Sequence, residues 1–540
     1  MKTYTLFLTC LFASLLTQAQ EVMPGNKSML FATDVVVHNK PSENQRHART
    51  ASAFNGWLYL ANTINDTVSK RGGIYVSISK DNGETWTKLL TYQFNNSFYP
   101  FTDIAVAGTD SAHLYVFLAG TLHNTSTGAN TVYIDKFDGR NGTLLSGQVF
   151  YRSLGSLSVT DMALNTDALY PSSTSSPFSI GLLYALHGGT EDSLLFATAT
   201  DGGLTYEVQN VIAHTSGSFR HVALGYGRSP AAGAGSYYAT WESLTGAGNT
   251  LGHIYMSHTR NSVVAGWNNP FCLDSLSPTT IGLCRNPAIS CQQSNANNDA
   301  ADLSVVVCFE RASGGNMNDI DIVGAASKKA FLGNIWQPFT VIGSPENDLQ
   351  PALAFNPGTK SFGLTYFDST NGRLPYAIQD LNLGSLQTWN YLSTQYNDQH
   401  TNLKAPYPVM VVNPALQQAC FFWIQENPGN QNGIILFDAE YAGLATAVVA
   451  PPVTENKIGN LYPNPATERI NIPFSLQSSQ KMNLIIYDML GNVASTQEIT
   501  SLPAGMQTAT VDISALESGI YFCHISTGGM QRIIRFAIQH

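Results

Sequence analysis

Along most of the chain apolar and polar residues alternate with a period of two, and the alternation breaks at short clusters of Gly, Asn, Asp, Ser and Pro. That period sends successive side chains to opposite faces of a pleated strand, and enrichment in Val, Ile, Tyr, Phe and Trp reinforces it. No stretch keeps a helical period. One pattern recurs: a strand with small-apolar alternation, a turn, then a strongly aromatic strand. It lies at 46–62, 100–120, 158–187, 218–242, 285–310, 349–368 and 406–426, which makes seven copies. Each is followed by a further strand pair, opening at 73–79, 131–137, 193–199, 252–258, 319–325, 373–379 and 433–439. Four strands in roughly 55–65 residues is the size of one propeller blade. The last copy lacks an outer strand, and residues 28–38, ahead of the first copy, could supply it and close the ring.

Length changes this picture, because 540 residues leave room for a second domain after the repeats. Charge narrows the partners. With 27 Lys+Arg against 37 Asp+Glu, a net charge of −10 and no basic run, nucleic acid is excluded. At the N-terminus Lys2 precedes an apolar stretch from Leu6 to Leu16, and Thr17-Gln18-Ala19 offers small residues for cleavage. Residues 1–19 therefore read as a secretory signal peptide. Cys10 sits inside its apolar core, which argues against a lipoprotein anchor, and no later segment has the ~18 apolar residues of a transmembrane helix. Of seven cysteines, six remain after Cys10 is removed. In an oxidising compartment the cluster Cys272, Cys284, Cys291 and Cys308 predicts disulfides Cys272–Cys284 and Cys291–Cys308, with free buried thiols as the alternative. A four-thiolate zinc site lacks any closely spaced Cys pair.

After the third strand of the first repeat the sequence runs Ser79-Lys80-Asp81-Asn82-Gly83-Glu84-Thr85-Trp86. It resembles the S-x-D-x-G-x-T-W Asp-box of sialidase/BNR-like propellers at every defined position. A weaker copy with Asp201, Gly203 and Tyr206 occupies the same place in the third repeat. These residues read as structural: Asp caps turn amides, Gly takes positive φ and the aromatic packs between strands. The resemblance also implies an R-x-P signature, a general-acid Asp after the second strand and arginines that clamp a substrate carboxylate. Arg46-His47-Ala48 falls where that signature belongs, and Arg285-Asn286-Pro287 keeps all of it in the fifth repeat. The acid is missing: its position falls near Thr63, with Asp66 the nearest alternative, and no Tyr/Glu nucleophile pair can be assigned. Sialidases have six blades rather than seven, so the resemblance does not carry the activity.

Beyond Pro451-Pro452 a linker over 451–457 leads to a segment of different character. Leu461-Tyr462-Pro463-Asn464-Pro465-Ala466, Ile485-Ile486-Tyr487-Asp488-Met489-Leu490-Gly491, Leu502-Pro503-Ala504-Gly505 and Ser518-Gly519-Ile520-Tyr521-Phe522 follow in order, before Arg532-Ile533-Ile534-Arg535-Phe536. Residues 458–540 resemble the type A sorting domain of the type IX secretion system of Bacteroidetes. The resemblance implies a small Ig-like β-sandwich read by the outer-membrane translocon, and a cargo that passes the periplasm to be secreted or attached to the outer surface. A sandwich that stays attached as an adhesive module is the alternative. The expected fold class is all-β, a seven-bladed β-propeller over 20–450 followed by this sandwich.

Aligning the repeats stacks Arg49, Asp103, Asp161 and His221 in one column, where the last three repeats have Ala288, Ala352 and Val409. Arg46, Arg220 and Arg285 lie nearby, and the second-strand ends contribute His187, Glu242, Glu310, Arg311, Asp368 and Glu426. If one face gathers them, Asp161, His221, His187 and Arg220 are catalytic candidates. A carboxylate or imidazole would move a proton while an arginine neutralises a uronate. Arg46, Arg49, Asp103, Arg285, Glu242, Glu310 and Asp368 are the candidate ligand contacts. On the structural reading, inner-strand Asp and His bond to neighbouring backbone, and strand-end Glu residues are solvated or paired. The preferred function is binding of an extracellular glycan or protein at the axial face. The alternative is a secreted polysaccharide-degrading enzyme, either a sialidase-like glycoside hydrolase or a propeller-type lyase. No cofactor is expected and no residue is put forward as a metal ligand: His253, His258, Asp319 and Asp321 lack diagnostic spacing. Bound calcium in a carboxylate-rich extracellular turn stays open.

Overall fold

The computed structural model describes residues 34–38, 44–66, 71–108, 113–167, 178–188, 192–215, 218–227, 235–245, 251–259, 266–276, 283–293, 303–313, 316–328, 335–342, 347–380, 388–393, 395–397, 403–426, 433–440, 457–458, 461, 464, 466–476, 480–489, 491–502, 505–527 and 530–539. The signal segment 1–19, Cys10 and nearly all of the expected linker lie outside them. The described residues are all-β apart from a 3-10 turn at Asp274–Leu276. The chain forms two compact units, Met1–Ala442 and Gly443–His540.

The first unit is a ring of four-stranded antiparallel sheets, the first two of which are joined into one nine-stranded sheet by the two-residue strand Ser97–Phe98. Their inner strands are Asn44–Ser52, Thr102–Ala107, Ser158–Thr166, Ser218–Gly227, Cys284–Cys291, Asp348–Asn356 and Val409–Asn413. Each inner strand touches the next and the last touches the first. In the first sheet Asn44–Ser52 is followed outward by Leu58–Asp66, Arg71–Ser79 and Thr87–Asn95. In the last, Val409–Asn413, Gln418–Glu426 and Gly433–Ala439 are completed by Val35–His38 from the start of the chain, as the hydrophobic pattern predicts. Because the two ends of the ring share one sheet, it cannot open without breaking a strand pair.

The core lies between neighbouring sheets, so second strands are apolar on both faces and read as continuous runs. Leu182 and Tyr184 pack back against Phe117 and Ile134. The intervening Leu183 and Ala185 pack forward against Tyr237 and Trp241. Neither expected disulfide is formed, and for Cys291–Cys308 the same alternation gives the reason. Cys272, Cys284, Cys291 and Cys308 are all free thiols. Cys291 packs toward the fourth sheet with Tyr238 and Met256, whereas Cys308, on the adjoining strand, packs toward the sixth with Phe362 and Leu364. Side chains on opposite faces of a sheet cannot bridge. The Cys272 thiol is occupied otherwise, donating to Asp274 Oδ1 at 3.0 Å.

The second unit has two sheets around a common core that includes Ile470, Ile472, Leu484, Ile486, Cys523 and Phe536. One sheet joins Lys457–Ile458, Arg469–Leu476 and Gly505–Asp512; the other orders Val493–Leu502, Gln480–Tyr487, Gly519–Thr527 and Met530–Ile538. Asp488 makes the turn after Gln480–Tyr487, its Oδ1 accepting the Asn492 amide at 2.9 Å, and Gly491 supplies the positive φ.

Candidate functional site at the mouth of the ring

At the start of five inner strands the chain enters the left-handed region without glycine. His47 (φ 44°), His221 (44°), Asn286 (50°), Gln350 (56°) and Tyr407 (44°) all do so. In four of these sheets the pairing slips at that point, between Arg46 and Arg49, Arg220 and Ala223, Arg285 and Ala288, and Leu349 and Ala352. This is a β-bulge repeated around the ring, and it re-aims one side chain per sheet at the mouth. It also corrects the alignment. The counterpart of Arg49 in the fourth sheet is Ala223, and His221 stands two residues earlier with His47, so the expected column of four does not exist as one row. Pro287, Pro351 and Pro408 follow three of these left-handed residues. Those X-Pro steps, at the same point of three repeats, were the sequence signal for Asn286, Gln350 and Tyr407; His47, followed by Ala48, carries none.

The charged candidates of the first five sheets still converge, and their carboxylates clasp one sheet to the next. Asp103 Oδ1 accepts the Ile104 amide at 2.8 Å, and its Oδ2 accepts the Leu164 amide of the following inner strand at 2.7 Å. Asp161 repeats this with Met162 (2.9 Å) and Val222 (2.8 Å). Glu242 Oε2 bonds His221 Nδ1 at 2.5 Å and accepts the Asn286 amide at 3.4 Å. Glu310 accepts Arg285 Nε and Asn286 Nδ2, each at 2.5 Å, and the Gln350 amide at 2.8 Å. Gln350 Oε1 then takes the Tyr407 amide at 2.9 Å.

Burial raises Asp103 to about 6, against the opposing pull of Arg49 and the two amides. Burial likewise raises Asp161, with Arg49 and His221 working against it. At His221 desolvation pulls downward, but the bond to Glu242 and the charges of Glu242, Asp161 and Glu310 outweigh it. The imidazole is held above its ordinary value.

The remaining candidates divide. His187 Nδ1 bonds Asp192 Oδ1 at 2.8 Å. Asp368 is bound within its own turn to Arg373 Nε (2.6 Å) and Asn371 (3.0 Å). Arg311 lies 3.9 Å from Asp321, and Glu426 is exposed. The backbone of Arg46 opens the first bulge; its side chain lies outside the description. The groups that face outward at the mouth are Arg220, Arg285, Tyr407 and His221, whose side chain is 48% exposed. Below them a cavity of about 210 Å³ runs among the inner strands past Thr50, Val106, Asn165 and Ser290. None of the charged candidates lines it.

The two turns that resemble Asp-boxes lie away from the mouth, where third strands end. Asp81 Oδ1 accepts Ser79 Oγ (2.8 Å) and the Thr85 amide (2.9 Å), and the Gly83 amide donates to Ser79 Oγ (2.8 Å). Trp86 Nε1 donates to Gly83 O at 3.1 Å, and its ring sits edge-on to Phe422 and Phe437 of the last sheet. In the weaker copy Asp201 Oδ1 accepts the Leu204 and Thr205 amides, Gly203 has φ 80°, and Tyr206 packs on Phe150.

An all-β ring with a charged mouth defines the class of the first unit, and the second unit adds an address. Residues 460–539 match the family described as the secretion system C-terminal sorting domain. The protein is thus exported by the type IX secretion system, to be secreted or attached to the cell surface. No helix among the described residues is long and apolar enough to cross a membrane. No curated protein matches the sequence. Among solved structures, a protein of unknown function from Dyadobacter fermentans DSM 18053 is 13% identical with a TM-score of 0.42, covering 77% of this chain and 100% of its own. The α-L-arabinofuranosidase Arb93A from Fusarium graminearum is 10% identical with a TM-score of 0.40, covering 76% and 98%. A PL25 ulvan lyase is 11% identical with a TM-score of 0.41, covering 76% and 95%.

Proposed function

We propose that residues 20–450 form a sialidase/BNR-like, seven-bladed β-propeller, joined through 451–457 to an Ig-like sorting sandwich over 458–540. Its work is to bind an extracellular glycan carrying anionic groups at the axial mouth, without turnover. One observation carries this reading: Asp103, Asp161, Glu242 and Glu310 each accept a backbone amide from the following sheet. A general acid or base must exchange its proton with the substrate. Carboxylates spent on holding blades together are poorly placed for that. What turns outward instead is cationic, Arg220, Arg285 and His221, beside the exposed ring of Tyr407. That combination suits carboxylate or sulfate groups on a sugar chain. The test is calorimetric titration of the full mature chain with a polyuronate, a sulfated and a neutral polysaccharide. Binding confined to the two anionic polymers, and lost about tenfold or more in Arg220→Ala/His221→Ala, is expected. Equal binding of the neutral polymer would refute it.

A second reading rests on His221. Glu242 holds Nδ1 of a side chain that is half exposed, the arrangement of an oriented general base. It would make the chain a secreted polysaccharide-degrading enzyme, a glycoside hydrolase or a lyase acting on a uronate. Release of unsaturated or reducing sugars, abolished by His221→Ala with the fold retained, would establish it over the binding reading.

A further inference from the structure

In the fourth sheet the third strand, Leu251–His258, pairs with an outer strand of only two residues, Phe271–Cys272, and the 3-10 turn Asp274–Leu276 follows. These three elements bring His253, Cys272 and Asp274 together, with one ligand atom of each within 4.8 Å of the others. His253 Nδ1 lies 2.8 Å from Asp274 Oδ2, and Cys272 Sγ lies 3.0 Å from Asp274 Oδ1. The carboxylate is 5% exposed, and the Ile254 amide, 2.9 Å from Oδ1, fixes its orientation. The His253 side chain is 30% exposed, which leaves an approach from solvent.

We propose that His253 Nδ1, Cys272 Sγ and an Asp274 oxygen form a Zn²⁺ site, with water in the fourth position. The donor set decides the metal. Nitrogen, sulfur and oxygen together suit zinc, whereas calcium and magnesium take oxygen alone. Zinc needs its ligands about 2.0–2.3 Å away, and the three donor atoms, with Asp274 hydrogen-bonded to the other two, already lie within 4.8 Å of one another. Protons balance simply: the Cys272 thiol gives up its proton to solvent, and the neutral His253 ring carries its own on Nε2. The cation would tie the turn and the two-residue outer strand to the third strand, replacing the longer ladder that this sheet lacks. Cys284, at the start of the next inner strand, is near enough for the charges of Asp274 and Cys272 to act on its thiol. The same corner can therefore close as a disulfide only by giving up the metal ligand.

The test uses the full chain purified without chelators. Zinc is measured by mass spectrometry of the elements, and the stripped chain is titrated with Zn²⁺ against a chromophoric chelator and with Co²⁺ by absorbance. About one zinc per chain and a thiolate-to-cobalt charge-transfer band are expected. Affinity should fall by at least about tenfold in Cys272→Ser and in His253→Ala, and stay unchanged in Cys291→Ser. Three results would each overturn the site: no stoichiometric uptake, uptake indifferent to Cys272→Ser, or a native chain two hydrogens light with Cys272 and Cys284 recovered in one disulfide-linked peptide. The wild-type zinc content and cobalt spectrum decide the matter even if a variant fails to fold.

Discussion

Asp161 Oδ2 takes the backbone amide of Val222 from the neighbouring inner strand, while its Oδ1 takes that of Met162. One buried carboxylate thereby fixes the spacing of two sheets. Asp161→Ala leaves two amides without a partner, each costing ~1–3 kcal/mol. Equilibrium urea unfolding of the variant should show a loss of about 3 kcal/mol, and Asp161→Asn, which keeps one acceptor, a smaller one. A change within about 0.5 kcal/mol for Asp161→Ala would mean that the clasp contributes nothing.

The same clasp makes stability depend on pH with an uncommon sign. Asp103 has an ordinary value of 3.8 in the unfolded chain and about 6 when folded. Between those values the folded state binds more protons than the unfolded one, so stability falls as pH rises through that window. Asp161, raised by burial, acts in the same direction. Asp103→Asn is a neutral isostere that cannot titrate. The stability difference between wild type and Asp103→Asn should shift by about 2–3 kcal/mol between pH 4 and pH 7, at about 1.4 kcal/mol per pKa unit. Parallel pH curves would show that Asp103 does not titrate in this range.

The repeats were legible because alternation, aromatic second strands and turn residues are local properties, and so was the use of Val35–His38 to complete the last sheet. The bulge was not. A slip between Arg220 and Ala223 is a property of two strands paired in space, and the sequence of one strand does not contain it. The result was that His221 stood in the wrong row beside Arg49, although both do reach the mouth. The Cys291–Cys308 disulfide failed for a related reason. Compartment says whether thiols can oxidise, but the face each one occupies says whether they meet, and Cys291 and Cys308 face opposite ways.

Glycines of the same backbone type separate packing from conformation. Gly83, in the turn after Arg71–Ser79, has φ 93°, and a Cβ there would come within 1.9 Å of the Phe437 ring. Gly128 has φ 69° with nothing within 4 Å. Gly128→Ala pays only the backbone penalty of about 1 kcal/mol. Gly83→Ala adds the overlap with Phe437 and should cost about 3 kcal/mol or more, with Trp86 displaced from its place between the first and last sheets. Denaturant midpoints and tryptophan fluorescence report both effects. Equal losses for the two variants would show that the turn does not depend on contact with Phe437.

The mouth itself is tested by salt and pH together. Arg220, Arg285 and His221 present their charge at the surface, so attraction to an anionic polysaccharide is screened over the ~8–10 Å Debye length of physiological salt. Affinity should fall steadily with added sodium chloride. His221 is held above its ordinary value because its bond to Glu242 and the charges of Glu242, Asp161 and Glu310 outweigh desolvation. Binding should therefore weaken as pH rises through the titration of this imidazole, later than an ordinary histidine would allow, and His221→Gln should remove that step while leaving the salt dependence that Arg220 and Arg285 provide. A step that survives His221→Gln would assign the titration to another group. A salt-independent affinity would place the ligand away from the cationic rim altogether.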